Sequence, residues 1–185
     1  MEKSVIIIDG FYNDPNEIRN TALKTNFSVR GNYPGQRTEP FLNDFIKERI
    51  ETAIQYQVKD WAEDIANGAF QYTTCQDRTW IHADSNNDWA GVLYLTPDAP
   101  ASSGTAFYKH LETNLYRSPD DEALQKLCDG DAQDYTKWLK LDTAANIYNR
   151  LVLFDSKRFH ASLDYFGTSL ENGRLFQTFF FNTMC

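Results

Sequence analysis

The chain has 185 residues, which is enough for one domain with a sizeable core, and its content of 42% hydrophobic and 15% aromatic residues excludes a disordered protein. The formal net charge of −8 and the absence of any run of Lys or Arg make a phosphate-binding surface, and so direct binding of nucleic acid, an unfavoured function. Three scattered cysteines without CxxC spacing (Cys75, Cys128 and Cys185) indicate reduced thiols of an intracellular protein.

The N-terminal third alternates one strand with two helical stretches. Val5–Ile8 is a β-branched run that predicts a strand, and it is too short for a signal peptide or a membrane span, so we expect a cytoplasmic protein. Asp14 followed by Pro15 is typical of a helix start. A Pro-Gly loop follows at residues 32–38, and apolar residues spaced by three and four predict a long helix from Thr38 to about Asn67.

After Gly68 the hydrophobic period changes to two, which predicts a series of short strands. The predicted strands are Ala69–Thr74, Thr79–Ala83, Ala90–Thr96, Thr105–Lys109, Arg150–Phe154, Phe159–Leu163 and Leu175–Phe181. Residues from about 111 to 146 are polar and interrupt this series, so we interpret them as an insertion that forms a lid over the mouth of the sheet structure.

Helices first and many short strands afterwards indicate an α+β protein. The strand count fits a double-stranded β-helix, or jelly roll, which leaves few exposed edges. We therefore expect a single domain over residues 1–185, with a helical support at about 11–68 and a jelly-roll core at about 69–182 that carries the insertion at about 111–146.

A His-x-Asp motif, His82 and Asp84, lies in one of the predicted strands. Side chains two residues apart in an extended segment lie on the same side, and a second imidazole from a distant strand, His160, would complete a face of two nitrogens and one carboxylate oxygen. This 2-His-1-carboxylate set suits non-haem Fe(II) and leaves coordination positions open. A lone His-x-Asp is weak evidence, since most such tripeptides lie on surface strands. The third histidine, His110, is outside this pattern and is expected on the surface or in a loop.

Several motifs before and after these histidines occur in a specific order along the chain. This order resembles that of the Fe(II)/2-oxoglutarate-dependent dioxygenases, in particular the prolyl 4-hydroxylase-like branch. The matching positions are Tyr72, His82-x-Asp84, Tyr94-Leu95, Gly104-Thr105-x-Phe107, Asn149-Arg150-Leu151-x-x-Phe154, His160 and Arg174. The resemblance covers about residues 70–181, and the insertion explains the long gap between Asp84 and His160.

The resemblance implies an oxygenase that uses Fe(II), 2-oxoglutarate and O2, with ascorbate as a possible support, and that converts 2-oxoglutarate to succinate. His82, Asp84 and His160 would be the catalytic metal ligands, and Arg174, with Tyr72, would bind the distal carboxylate of 2-oxoglutarate. The presence of Asp84 implies hydroxylation or another oxidation, because halogenating relatives replace this carboxylate. Two alternatives stay open: Arg174 pairs with a structural acid, or Tyr72 is a core residue.

The substrate is not encoded by the motif, since it is selected by loops. Tyr33 and Arg37, in the Pro-Gly loop, are the expected substrate-side residues, and the substrate is a small molecule, a peptide or an amino acid. No nucleic acid or membrane partner is expected, and the oligomeric state stays open. The alternative to the oxygenase is a non-catalytic, cupin-like module that binds a metal or ligand, and it would have no need of Arg174. A purely structural domain would need no metal at all.

Overall fold

The computed structural model of the protein describes residues 4–59, 61, 66–84 and 86–184. Within these ranges the helices are α1 (Pro15–Lys24), α2 (Asp44–Ile54) and α3 (Glu122–Gly130). The strands are β1 (Val5–Ile8), β2 (Gln36–Pro40), β3 (Ala69–Thr73), β4 (Trp89–Tyr94), β5 (Thr105–His110), β6 (Trp138–Ala144), β7 (Leu151–Asp155), β8 (His160–Ser162) and β9 (Arg174–Phe181). Cys185 and residues 60 and 62–65 of the predicted long helix lie outside the described residues.

The strands form two antiparallel sheets that face each other. One sheet has six strands in the order β1-β7-β4-β9-β3-β2, and the other has three in the order β6-β5-β8. Phe107 and Ala144 from the smaller sheet pack with Phe154 and Phe176 from the larger sheet in one buried cluster, so the two inner faces are in contact. The crossovers between non-consecutive strands confirm the α+β class and the double-stranded β-helix.

The first two helices brace the outer face of the six-stranded sheet. The side chain of Asp14 accepts hydrogen bonds from the first turn of α1, which starts with Pro15. In α2, buried isoleucines recur every four residues, and they pack with Leu175 and Phe179 of β9. The intervening residues of β9, such as Phe176, face the other sheet. Alternation along β9 therefore separates the helix-facing core from the inner cavity.

Two of the predicted elements differ from those in the structure. The helix predicted for Thr38–Asn67 is confined to α2 in the described residues, and its first part is β2, where the chain pairs with β3. The strand predicted at Thr79–Ala83 is an extended segment with one isolated bridge, between His82 and His160. The helical N-terminal support thus also contains an edge strand of the larger sheet.

The predicted insertion at 111–146 is not a lid. All of its residues are described, and none of them lines the cavity between the sheets. Its last part forms β6, which pairs with β5 as a regular member of the smaller sheet. Cys128, at the end of α3, packs with Tyr108 and Trp138 on the outer face of that sheet. The polar pattern that suggested a loop arises because five central residues of β6, an edge strand, are exposed.

In the described ranges, Cys75 is an exposed free thiol and Cys128 is a buried one. None of the helices in these ranges has the length and apolar character needed to cross a membrane.

Candidate metal centre

His82, Asp84 and His160 come together on the inner side of the smaller sheet, and each offers one ligand atom within 4.8 Å of the others. Reciprocal backbone hydrogen bonds hold the His-x-Asp segment against β8, from His82 N–H to His160 O at 3.0 Å and from His160 N–H to His82 O at 2.8 Å. The two imidazole rings have their centroids 4.4 Å apart. Asp84 is anchored separately, because its N–H donates to Ser156 O at 2.8 Å.

Each imidazole is oriented by a backbone carbonyl two residues earlier in the chain. Nδ1 of His82 lies 3.0 Å from Trp80 O, and Nδ1 of His160 lies 2.9 Å from Arg158 O. A carbonyl only accepts, so both Nδ1 atoms carry a proton, and in the neutral form of each ring Nε2 is the nitrogen with the lone pair. These Nε2 atoms lie 3.8 Å and 3.4 Å from the carboxylate oxygens of Asp84. This second-sphere arrangement is typical of metal-ligating histidines.

The protonation states also suit metal binding. The side chain of His82 is 38% exposed, and because His82 lines the cavity, this exposed part faces the cavity, with protein on the other sides. This desolvation, together with the neighbouring His160, lowers the pKa of His82 to about 4, so its lone pair is available at neutral pH. Burial raises the pKa of Asp84, but the neighbouring His160 and His82 outweigh burial and lower it overall, so Asp84 is a carboxylate at neutral pH. The centre therefore presents Nε2 of a neutral His82, Nε2 of His160 and the carboxylate of Asp84.

A cavity of about 380 Å³ opens from this centre between the sheets. Its wall on the six-stranded sheet is largely apolar and includes Ala90, Val92, Phe154, Phe176 and Phe180. Its mouth is more polar and is formed by side chains from three loops. These are Asn32, Tyr33, Thr79, Trp80, Asn86, Asn87 and Tyr165.

Arg174 is completely buried and lies behind residues that line the cavity. Its Nε donates to Ser103 O at 3.0 Å, but its two terminal nitrogens have no hydrogen-bond partner among the described residues. The guanidinium lies 4.4 Å from the ring centroid of Phe176 and 5.9 Å from that of Tyr165, which both line the cavity. Burial raises the pKa of the nearby Tyr94 hydroxyl, and the Arg174 charge opposes that rise. An anion here would satisfy a charge that is otherwise costly to bury.

Tyr72 does not line the cavity. Tyr72 lies on the helix-facing side of β3, where its ring packs edge-on against Phe27 with centroids 5.1 Å apart. Its neighbours Gln71 and Thr73 take the inner face, because strand residues alternate. Thr73 pairs directly with Arg174, and its Oγ1 is buried without a hydrogen-bond partner among the described residues. The spacing from the His-x-Asp motif points to β3, and the alternation along β3 places Thr73, and not Tyr72, on the inner face.

Tyr33 and Arg37 both reach the cavity, at its mouth. The Pro-Gly turn lies close against β3: Gly35 has a φ of +74°, and a Cβ there would collide with the carbonyl of Tyr72. The guanidinium of Arg37 stacks 3.8 Å from the ring centroid of Tyr33. Its Nε donates to Gln71 Oε1 at 2.6 Å, and these are not its only contacts.

The donor set matches a known coordination chemistry. Two imidazole nitrogens and one carboxylate oxygen on one side of a cavity can hold Fe(II) and leave its other positions facing the cavity. A buried guanidinium with two unpaired terminal nitrogens can bind a carboxylate in bidentate fashion. The residues present therefore fit both a divalent iron and a dicarboxylate.

Solved structures with a similar fold are Fe(II)/2-oxoglutarate-dependent oxygenases. A prolyl hydroxylase from Trichoplax adhaerens, in complex with a hypoxia inducible factor peptide fragment, is 13% identical, with a TM-score of 0.53 over 96% of this chain and 83% of that chain. HygX from Streptomyces hygroscopicus, with nickel, 2-oxoglutarate and hygromycin B bound, is 9% identical, with a TM-score of 0.63 over 95% of this chain and 81% of that chain. These likenesses confirm the resemblance at the level of the fold.

The sequence comparisons give the family. No curated protein matches the chain. The family model described as "Family of unknown function (DUF6445)" matches residues 1–181, and the chain belongs to that family.

Proposed function

We propose that the protein is an Fe(II)- and 2-oxoglutarate-dependent oxygenase that hydroxylates a small-molecule, amino-acid or peptide substrate and converts 2-oxoglutarate to succinate. One observation carries the proposal beyond a simple metal site. The guanidinium of Arg174 has two buried nitrogens without a hydrogen-bond partner among the described residues, and it lies 4.4 Å from the ring centroid of Phe176, which lines the same cavity as the three candidate metal ligands. A cupin-like module that binds only a metal has no use for a buried cation of this kind.

Two groups of side chains would bind the iron and the 2-oxoglutarate. His82, Asp84 and His160 would hold the iron, with both histidines fixed by carbonyl groups. Arg174 would bind the distal carboxylate of 2-oxoglutarate, with Thr73 beside it as a further donor. When bound, Fe(II) supplies the activation of O2 coupled to decarboxylation of 2-oxoglutarate.

The apolar wall would protect this chemistry from water. The ring of Phe154 lies 4.6 Å from that of His160, and Phe176 lies beside Arg174. Such walls lower the local dielectric and strengthen the binding of charged groups to the metal and to Arg174. The protein thus orients the reactants and excludes competing reactions.

The similar structures support this assignment at the level of the fold. HygX binds nickel, 2-oxoglutarate and hygromycin B, and the prolyl hydroxylase binds a peptide fragment. A fold of this type thus accommodates both small-molecule and peptide substrates.

The test is an anaerobic titration of the apoprotein with Fe(II) in the presence of 2-oxoglutarate. An iron site with open positions that chelates a 2-oxo acid gives a weak visible charge-transfer band near ~500 nm. We expect the band in the wild-type protein and its loss in His160→Ala and Arg174→Met. Arg49→Met is the matched control, because Arg49 lies on α2, where it contacts Phe11 and Phe45 behind the larger sheet.

Succinate formation on admission of O2 then separates an oxygenase from a binding module. Turnover that depends on His82 and Asp84 supports the proposal. Iron binding without a band, or a band without succinate, would favour the cupin-like alternative.

A further inference from the structure

A second cavity, of about 310 Å³, lies between the edge strands of the two sheets. β1 stands at one end of the six-stranded sheet and β6 at one end of the three-stranded sheet, so in the described part of the chain each has one edge without a neighbouring strand. We call this cavity the side groove. Its lining includes Val5, Ile7, Phe107, Asp142, Ala144 and Arg158.

Part of the side groove is apolar. Val5 and Ile7 lie opposite Phe154 and Val152 in the pairing of β1 with β7, so they face the inner side of the larger sheet. Val152 and Phe154 are buried in the core between the sheets, whereas Ile7 is 49% exposed. An apolar group bound in the side groove would remove this exposed surface of Ile7 from water, which favours binding.

Arg158 brings a positive charge to the side groove. The residue is only 7% exposed, and its buried Nε has no hydrogen-bond partner among the described residues. Its ion pair with Asp142 is long, because Nη2 lies 3.6 Å from Oδ2, and the side chain of Asp142 is 68% exposed. Such a solvated pair contributes little, so the burial of this guanidinium is poorly compensated within the described residues.

Two aromatic rings contact the guanidinium of Arg158. Their centroids lie 5.0 Å from its central carbon for Phe107 and 5.9 Å for Tyr116. These cation–π contacts position the planar group but give Nε no oxygen acceptor. A carboxylate would accept from Nε and from one terminal nitrogen together, in the bidentate geometry that suits arginine.

The side groove is separate from the candidate metal centre. Among the described residues, the two cavities have no lining residue in common. Phe107 lines the side groove and Phe154 lines the metal cavity, and the centroids of their rings are 5.2 Å apart. A ligand in the side groove would therefore need neither the metal nor Arg174.

We propose that the side groove is a binding site for a small monocarboxylic acid with an apolar tail. Arg158 binds the carboxylate, and the tail packs against Val5, Ile7 and Ala144. The volume of about 310 Å³ lies at the lower end of the range of ligand pockets, roughly 300–1,000 Å³, which favours a small ligand. The apolar wall favours an acid with a tail over a phosphate ion, whose oxygens all require polar partners.

The experiment is calorimetric titration of the full chain, freed of metal by a chelator. The probes are hexanoate, its neutral amide hexanamide, and acetate, which has the carboxylate without the tail. We expect hexanoate to bind at least about 10-fold more tightly than either of the others, because hexanamide lacks the charge and acetate lacks most of the apolar surface.

Two substitutions locate the site. Arg158→Met should weaken the binding of hexanoate at least about 10-fold, and Arg49→Met, on α2 behind the larger sheet, is its matched control. Ile7→Asp keeps Arg158 but places a second carboxylate in the side groove, so it should weaken hexanoate to a similar extent. Its matched control is Leu139→Asp, at an exposed position on β6 that does not line the side groove. If circular dichroism shows that Arg158→Met is unfolded, Ile7→Asp decides the assignment.

Arg174→Met distinguishes the side groove from the metal cavity, because Arg174 also has unpaired nitrogens among the described residues. This variant should bind hexanoate as the wild type does. Loss of binding in Arg174→Met with retention in Arg158→Met and Ile7→Asp would overturn the proposal. Failure of hexanoate to bind to the wild-type protein, or equal binding of hexanoate and hexanamide, would overturn it as well. Acetate that binds as tightly as hexanoate would contradict the apolar tail.

Discussion

Thr73 and Arg174 lie directly opposite each other on β3 and β9, and both bury polar side-chain atoms that have no hydrogen-bond partner in the described part of the chain. Both residues face the inner side of the larger sheet. Donors that remain unpaired in a protein interior reduce stability, so two of them side by side indicate a common acceptor that is supplied by a ligand. A carboxylate, with two oxygens, fits that requirement.

We expect Thr73→Val to weaken the binding of 2-oxoglutarate about 2- to 10-fold, because it removes one neutral hydrogen bond and keeps the side-chain shape. Tyr72→Phe should leave the affinity unchanged, since Tyr72 packs against Phe27 on the other face of β3. Calorimetric titration of the iron-loaded protein with 2-oxoglutarate, in the absence of O2, measures both. A larger loss of affinity for 2-oxoglutarate in Tyr72→Phe than in Thr73→Val would show that Tyr72, and not Thr73, binds the carboxylate.

Arg174→Met should have opposite effects on binding and on stability. The affinity for 2-oxoglutarate should fall about 100-fold or more, because a bidentate ionic contact is lost. The apoprotein should become more stable by about 1–3 kcal/mol, because a buried cation with two unpaired nitrogens is replaced by an apolar side chain. Urea unfolding of the apoprotein and calorimetry give the two values. A destabilised variant that still binds 2-oxoglutarate would show that Arg174 is structural.

Much of the fold could be predicted because the hydrophobic residues of the strands and of α2 recur in the sequence with the period of the element that they form. The change of hydrophobic period after Gly68 coincides with the start of β3 at Ala69. The isoleucines of α2 recur every four residues, and their burial follows the same period. The edge strand β6 was missed for a physical reason: it is solvated on both faces, so it lacks the alternation that identifies a strand buried on one side.

The residues of the candidate site were likewise predictable only in part. His82 and Asp84 share a side because two residues separate them in an extended segment, and the structure brings His160 to them. Tyr72 illustrates the limit of spacing, since a shift of one residue moves a side chain to the other face of the sheet. The burial of His110 could not be predicted at all, because its partner Asp131 lies 21 residues away, beyond α3.

His110 is predicted to be a structural residue of the smaller sheet. It is completely buried, its Nε2 lies 3.0 Å from Asp131 Oδ2, and its ring packs against Trp138. His110→Ala should lower the free energy of unfolding by about 2–4 kcal/mol, because it opens a cavity and leaves Asp131 without its partner. The control is Leu139→Ala on β6, where the side chain is exposed and the effect should stay below ~0.5 kcal/mol. Equal stability of the two variants in urea unfolding would contradict this role.

The same region also supports the metal centre. Asp131 O accepts a hydrogen bond from Trp138 Nε1, and the next carbonyl, of Ala132, accepts from the N–H of Ile81 at 2.9 Å. Ile81 directly precedes His82. We therefore expect the metal affinity of His110→Ala to fall only modestly, by less than ~10-fold, because the backbone bridge between His82 and His160 remains.

Metal removal and addition provide the broadest check on the ligand set. Ni(II) suits a site of imidazoles and a carboxylate. Because Ni(II), unlike Fe(II), is not oxidised by O2, it can replace Fe(II) in an unfolding assay in air. At a free concentration about 100-fold above Kd, the metal should stabilise the wild-type protein by about 2.7 kcal/mol, and a chelator should reverse the gain. Asp84→Ala and His160→Ala should lose the stabilisation by the metal. His110→Ala should keep most of it, although the metal-free form of this variant has a lower free energy of unfolding than the wild type. Stabilisation that persists in Asp84→Ala, or that disappears in His110→Ala alone, would mean that the metal binds elsewhere.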